Sequence, residues 1–149
     1  MKIVFVCTGN TCRSPMAEAF LNNYTNNHIS ISAGINAFEN QSASKGSKFA
    51  MNEEGINLEF HKSKNINEAI MKENDLILTM TMSHKNILNH YFPEYREKIF
   101  TLSEYVKEKQ DVLDPFGSDL KTYIIVKDQI KNLIKKLIQQ LRWKRWKLF

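Results

Sequence analysis

Apolar residues alternate between short unbroken runs and longer stretches of helical spacing. Ile3-Val4-Phe5-Val6 is apolar at every position, the pattern of a parallel strand covered on both faces. It opens into a polar turn, Cys7-Thr8-Gly9-Asn10-Thr11-Cys12-Arg13-Ser14-Pro15. Beyond it Met16, Ala17, Ala19, Phe20 and Leu21 recur at helical spacing, and Pro15 suits a first helical turn. A second strand is predicted over Ile29–Ala33, ending at Gly34, and a helix over Ser42–Glu54, stopped by Gly55. Asn67–Lys72 reads as a short helix and Asp75–Met80 as a third buried strand. Ser83 is the expected cap of a helix through His90, and Lys98–Leu102 is the fourth strand candidate. Last comes a long helix. Ile130, Leu133, Ile134, Leu137, Ile138 and Leu141 form one apolar stripe, with Lys131, Lys135 and Lys136 outside it.

Strand and helix in alternation predict an α/β fold, a parallel sheet with helices on both faces. No internal repeat, low-complexity tract or linker interrupts the pattern, so residues 1–149 read as one domain. In such sheets ligands sit beyond the carboxyl ends of the strands, where strand order switches. The turn after the first strand is therefore the first place to look for chemistry.

Composition narrows the picture without specifying it. The 149 residues, 42% hydrophobic and 25% charged, are those of a globular chain able to bury a core. No apolar run is long enough to cross a bilayer. The apolar start is interrupted by Thr8, Gly9, Asn10 and Thr11 before a signal-peptide core could form, so a cytoplasmic protein is expected. Two cysteines do not make a disulfide scaffold. The formal charge of +5 suits an anionic partner but names none.

The turn is more specific. A loop curled between a strand end and a helix N-terminus aims several backbone N–H groups at one centre, a cradle the size of a phosphate dianion. Gly9 permits any backbone conformation and Asn10 tolerates positive φ. Arg13 adds a planar fork for two phosphate oxygens. The field that binds an oxyanion also stabilises a thiolate at Cys7, which would then stand below a bound phosphoryl group as an in-line nucleophile. A cysteine five residues before an arginine is common by chance, and a buried cysteine at a strand end is ordinarily inert packing. The preceding apolar strand, the Gly-Asn pair and the Ser-Pro helix start favour the phosphate loop. A metal site is the weaker reading, because zinc wants four ligands and only two thiols are present with no histidine close in sequence. No metal or cofactor is expected.

Cys7 through Glu18 resembles the signature of the low-molecular-weight protein-tyrosine phosphatase family. Ser32-Ala33-Gly34, His61-Lys62-Ser63, Asp75–Met80 and Val112-Leu113-Asp114-Pro115-Phe116-Gly117 stand in the family's order. The resemblance implies a four-stranded parallel sheet flanked by helices, in the flavodoxin-like manner, and phosphate ester chemistry through a phosphocysteine. An aspartate in a turn such as Asp114-Pro115 is ordinarily structural; the resemblance makes Asp114 the general acid. Asp111 lies close by but lacks the adjoining proline. Thr8, Gly9, Asn10, Thr11, Cys12 and Ser14, with Phe116, are the residues expected to meet substrate. Ser14 caps the helix, supports the Cys7 thiolate, or does both. Asn10, Ser32 and His61 match a network that holds the loop's shape, against a plain surface position for His61. Cys12 reads either as packing or as a redox partner of Cys7. His28, His84 and His90 are treated as ordinary.

Thr11 stands where tyrosine-directed members carry an aliphatic residue, and Phe116 where many carry tyrosine. Both features resemble the bacterial protein-arginine phosphatase branch. Thr11 brings a hydroxyl to the pocket wall, and the planar guanidinium of phosphoarginine is cationic and polar, unlike a phenol. Asn36 stands where a pocket aromatic is expected, with Phe38 two residues on. Phosphoarginine on proteins is the favoured substrate, phosphotyrosine the alternative. Arsenate reduction is set aside, since no cysteine follows Cys12. A non-catalytic phosphate-binding module would be expected to lack Cys7 or Asp114. The basic aromatic end, Arg142 to Phe149, reads as the frayed end of a helix in preference to a membrane-adhesive segment. No nucleic-acid motif accompanies its cations, and a monomer is expected.

Overall fold

The computed structural model describes residues 1–147. Four strands, β1 (Lys2–Cys7), β2 (Ile29–Gly34), β3 (Leu76–Thr79) and β4 (Ile99–Thr101), form one all-parallel sheet in the order β2-β1-β3-β4. Helices α1 (Arg13–Tyr24), α2 (Lys45–Asn52), α3 (Glu68–Glu73), α4 (Met82–Tyr91), α5 (Leu102–Tyr105) and α6 (Leu120–Lys147) connect and cover it. This is the α/β architecture the alternation predicts. β1 is central because every residue from Ile3 to Cys7 is apolar and buried. Its side chains divide by parity. Ile3, Phe5 and Cys7 join Leu76 and Leu78 of β3 in the larger core beneath α1 and α6, while Val4, Val6 and Ile77 join Met71 and Leu88 beneath α3 and α4.

The sheet's order decides where the site lies. The chain leaves β1, returns through α1 to β2 on one side, then crosses to β3 on the other. The crevice at this reversal lies at the carboxyl end of β1, where Cys7 is the last strand residue.

Several boundaries differ from the sequence expectation. The second helix begins at Lys45, because Ser44 accepts a hydrogen bond from the Ser47 N–H and caps it. The cap of α4 is Thr81, whose hydroxyl accepts from the His84 N–H; Ser83 lies inside the helix. A 3₁₀ turn at Pro93–Lys98 and the one-turn α5 carry no apolar periodicity; α5 is fixed by a capping box between Thr101 and Glu104. The long stripe is buried as expected from Ile130 to Leu141, and α6 continues to Lys147 with Arg142–Lys147 exposed beyond the core. Leu148 and Phe149, the end of the basic aromatic segment, lie outside the described residues. No helix is long and apolar enough to cross a membrane among the described residues.

Candidate active site

The loop between β1 and α1 is pinned from outside by its carbonyl groups. The Cys7 and Thr8 carbonyls accept from the N–H groups of Ile35 and Asn36, both at 3.0 Å, and the Thr11 carbonyl accepts from Ser44 at 2.9 Å. The Asn10 carbonyl accepts from His61 Nε2 at 2.7 Å. With the carbonyls taken up outwards, no protein acceptor meets the N–H groups of Gly9, Asn10, Thr11 or Cys12 among the described residues. Cys12, the residue that precedes helix α1, makes no side-chain cap, so the first-turn donors of the helix are also uncommitted. Such an array, at the positive end of a helix, is built for an anion. Ser14 lies one residue inside α1, which rules out the capping role.

The strained residue of the loop is Asn10, at φ 57°; Gly9 does not use the positive-φ freedom that the sequence allows it. Asn10 is fully buried and its amide is spent completely. Nδ2 donates to Ser14 Oγ at 2.8 Å and to Ser32 Oγ at 2.9 Å, while Oδ1 accepts from the Lys64 N–H at 3.0 Å. These bonds offset the strain of the left-handed conformation. They also fix a proton. Because Ser14 Oγ accepts from Asn10, its own hydrogen is free for Cys7 Sγ, 2.9 Å away. The hydroxyl is thus aimed at the sulfur that would carry the phosphoryl group. The expected network of Asn10, Ser32 and His61 is thus assembled, and His61 is a half-buried donor to the loop. Burial holds its imidazole below the ordinary value, so it remains neutral near pH 7.

Gly34, at the end of β2, is required by proximity. A Cβ there would fall 2.5 Å from the Thr8 carbonyl oxygen and 3.0 Å from the Asn10 nitrogen. Only a residue without a side chain lets the loop lie flat against the neighbouring strand.

Arg13 is 4% exposed. Its Nη1 donates to the Val112 carbonyl at 3.2 Å, and Nη2 stands 3.5 Å from Asp114 Oδ2. Asp114 is exposed, and its Oδ1 accepts from the Phe116 N–H at 3.1 Å, which closes the Asp-Pro-Phe turn. Asp111 faces elsewhere, accepting from the Met82 N–H at the start of α4. Cys7, Thr8, Gly9, Thr11, Cys12, Arg13, Asp114 and Phe116 converge on one cleft of about 370 Å³. Asn36, Phe38 and Gln41 complete its wall, so the loop after β2 supplies both the polar Asn36 and the aromatic Phe38.

Three further residues act on the loop. Tyr123 of α6 brings its hydroxyl to 3.6 Å from Cys12 Sγ, and Ser44 Oγ lies 3.4 Å from the same sulfur. Both cysteines are free and buried. His84, treated as ordinary from sequence, is 5% exposed and places Nε2 2.9 Å from Thr8 Oγ1. Its link to the loop spans 76 positions, and the one sequence signal is a histidine in the first turn of the helix after β3.

Comparison with known proteins agrees with this geometry. The family described as low molecular weight phosphotyrosine protein phosphatase matches residues 2–147. A protein-arginine-phosphatase of Bacillus subtilis (strain 168) is 42% identical over 147 residues, covering 95% of this chain and 97% of its own. The low molecular weight protein-tyrosine-phosphatase PtpB of Staphylococcus aureus is also 42% identical, over 137 residues, covering 92% of this chain and 96% of its own. Among solved structures, the YwlE arginine phosphatase, as a mutant with a phosphorylated active-site serine, superposes with a TM-score of 0.92. It is 42% identical over 95% of this chain and 96% of that one.

Proposed function

This chain belongs to the low molecular weight phosphotyrosine protein phosphatase family, and from that premise we propose that it hydrolyses phosphoarginine on proteins through a phosphocysteine at Cys7. The phosphoryl dianion enters the amide cradle and the Arg13 fork. The Cys7 thiolate attacks phosphorus in line, the S–P bond forms and the N–P bond to the guanidinium breaks. Asp114, at the exposed rim beside Arg13, takes a proton from solvent once the dianion displaces it from the Arg13 fork, and gives that proton to the departing nitrogen. It then takes a proton from the water that attacks phosphocysteine; the S–P bond breaks, phosphate leaves, and the returning thiolate is received by the Ser14 hydroxyl. The phosphorylated active-site serine of the YwlE mutant supports covalent transfer at the equivalent step.

Relatives at the same identity carry both the arginine and the tyrosine name, so the substrate choice rests on the cleft. Its lining carries it: Thr11, Asn36 and Gln41 share the cavity with the Asp114 carboxylate. A planar cation needs acceptors at its edge, and a phenol ring does not. Phosphotyrosine is the second reading, supported by Phe38 and Phe116 on the same wall.

Matched peptides carrying phosphoarginine or phosphotyrosine test the choice. At least a tenfold preference in kcat/KM for phosphoarginine is expected, about 1.4 kcal/mol, and Thr11→Ile should move the ratio towards phosphotyrosine. Equal or reversed preference in the wild type overturns the reading. For the acid, Asp114→Asn should cost about 100-fold or more on phosphoarginine peptides. The cost should be much less on p-nitrophenyl phosphate, whose leaving group departs unaided.

A further inference from the structure

The hydrogen bond between His84 and Thr8 has two versions, and they give the cleft opposite characters. If Nε2 is a bare lone pair, Thr8 donates to it and shows the cleft only acceptor lone pairs. If Nε2 carries the proton, His84 donates, and the Thr8 hydroxyl hydrogen is free for an acceptor in the cleft. The other ring nitrogen decides between them. His84 Nδ1 is buried and has no partner among the described residues. A buried N–H without an acceptor is among the costliest polar groups to leave, whereas an unpaired lone pair is tolerated more readily. The proton therefore belongs on Nε2. A doubly protonated ring would create the same orphan donor at Nδ1. Three charged groups act on the ring: Arg13 opposes its protonation, and Asp111 and Asp114 favour it. Burial, the largest influence, acts with Arg13 against the two aspartates and holds the group down to about 4, so the ring is neutral near pH 7.

We infer that His84 is a positioning residue for phosphoryl binding: its Nε2–H holds Thr8 Oγ1 and reserves the Thr8 hydroxyl hydrogen for an oxygen of the bound phosphoryl group. Thr8 lines the same cleft as Cys7 and Arg13, so the hydroxyl adds a side-chain donor to the backbone amides. A rotatable hydroxyl would otherwise split its hydrogen between solvent and cleft; His84 fixes that choice before the substrate arrives. The inference takes from the proposed function only that the cleft binds a phosphoryl group, whichever side chain bears it.

The ring proton is read directly by nitrogen-15 NMR of histidine-labelled full-length protein at pH 7, with His84 identified by the signal lost in His84→Gln. A pyrrole-type Nε2 and a pyridine-type Nδ1 are expected; the reverse pattern, or shifts averaged between the two, overturns the inference. Competitive inhibition by inorganic phosphate supplies the functional arm. Thr8→Val and His84→Leu should each weaken phosphate by roughly tenfold, and His84→Gln, which retains an N–H donor, should recover most of the loss. In the Thr8→Val background, His84→Leu should add less than a twofold further loss, since its effect runs through Thr8. Full additivity in that cycle would make His84 a structural residue only and overturn the inference. A wild type that prefers phosphotyrosine sinks the substrate reading while leaving these outcomes intact.

Discussion

Cys7 and Arg13 share one short turn, so the sequence itself sets them side by side; Asp114 is singled out only by the family resemblance, and folding brings all three to one cleft. What the turn does not contain is the support around it. Tyr123 reaches the loop from 111 positions away and His84 from 76, and neither spacing leaves a trace in a linear pattern. Asn10 shows the same divide. Its tolerance of positive φ was predictable, but its amide's three partners come from α1, β2 and the segment before α3. Titration carries a prediction at this scale. Burial holds His28, His61 and His84 below the ordinary imidazole value, His84 to about 4. Unfolding returns each to its usual affinity, so between pH 6.5 and the folded value the unfolded chain binds more protons. Stability is then lost as pH falls through that window. Glu18, whose carboxyl burial raises, works in the opposite sense in the acid part of the range. The thermal midpoint by circular dichroism should drop by about 4 °C or more from pH 7 to pH 5, and His84→Gln should flatten that slope. A midpoint indifferent to pH would contradict the depressed imidazole values of these three histidines.

At the scale of elements, long periodic stretches were read well and short ones poorly. The stripe of α6 buries as predicted because its apolar period repeats over several turns. The one-turn α5 depends on a capping box and tertiary contact, and α4 is capped two residues earlier than Ser83 would place it, by the Thr81 hydroxyl. The packing of α2 against α6 carries a consequence for the site. A Cβ on Gly46 would fall 2.3 Å from the Tyr123 ring, so this glycine is what lets the two helices approach. In an open helix Gly→Ala stabilises by about 1 kcal/mol. Here Gly46→Ala should destabilise by about 2 kcal/mol, because the ring must shift or the helices must part. Denaturant unfolding measures the sign. The displaced Tyr123 also releases its contact with Cys12, so reactivity of that thiol towards a maleimide should rise in the same variant.

For the whole molecule, the position of the cleft follows from a rule of parallel α/β topology and was readable once the alternation was recognised, whereas the strand order β2-β1-β3-β4 is seen only in the folded sheet. The cleft's composition was less readable than its position. Its wall is gathered from the loop after β1, the loop after β2 and the Asp114 turn, and only folding reveals that Asn36 and Phe38 face it together. The charges in it are unequal in a useful way: the Arg13 cation is nearly sealed from water, while its carboxylate neighbour lies open at the mouth. In the resting enzyme Asp114 is thus a stand-in anion for the fork, and any incoming dianion meets it as a rival. The best inhibitor scaffold is accordingly a zwitterion, with a phosphonate seated below and an amidinium above to engage the displaced carboxylate. A phosphonate lacking the cation should compete more weakly, and Asp114→Asn should erase the difference between the two.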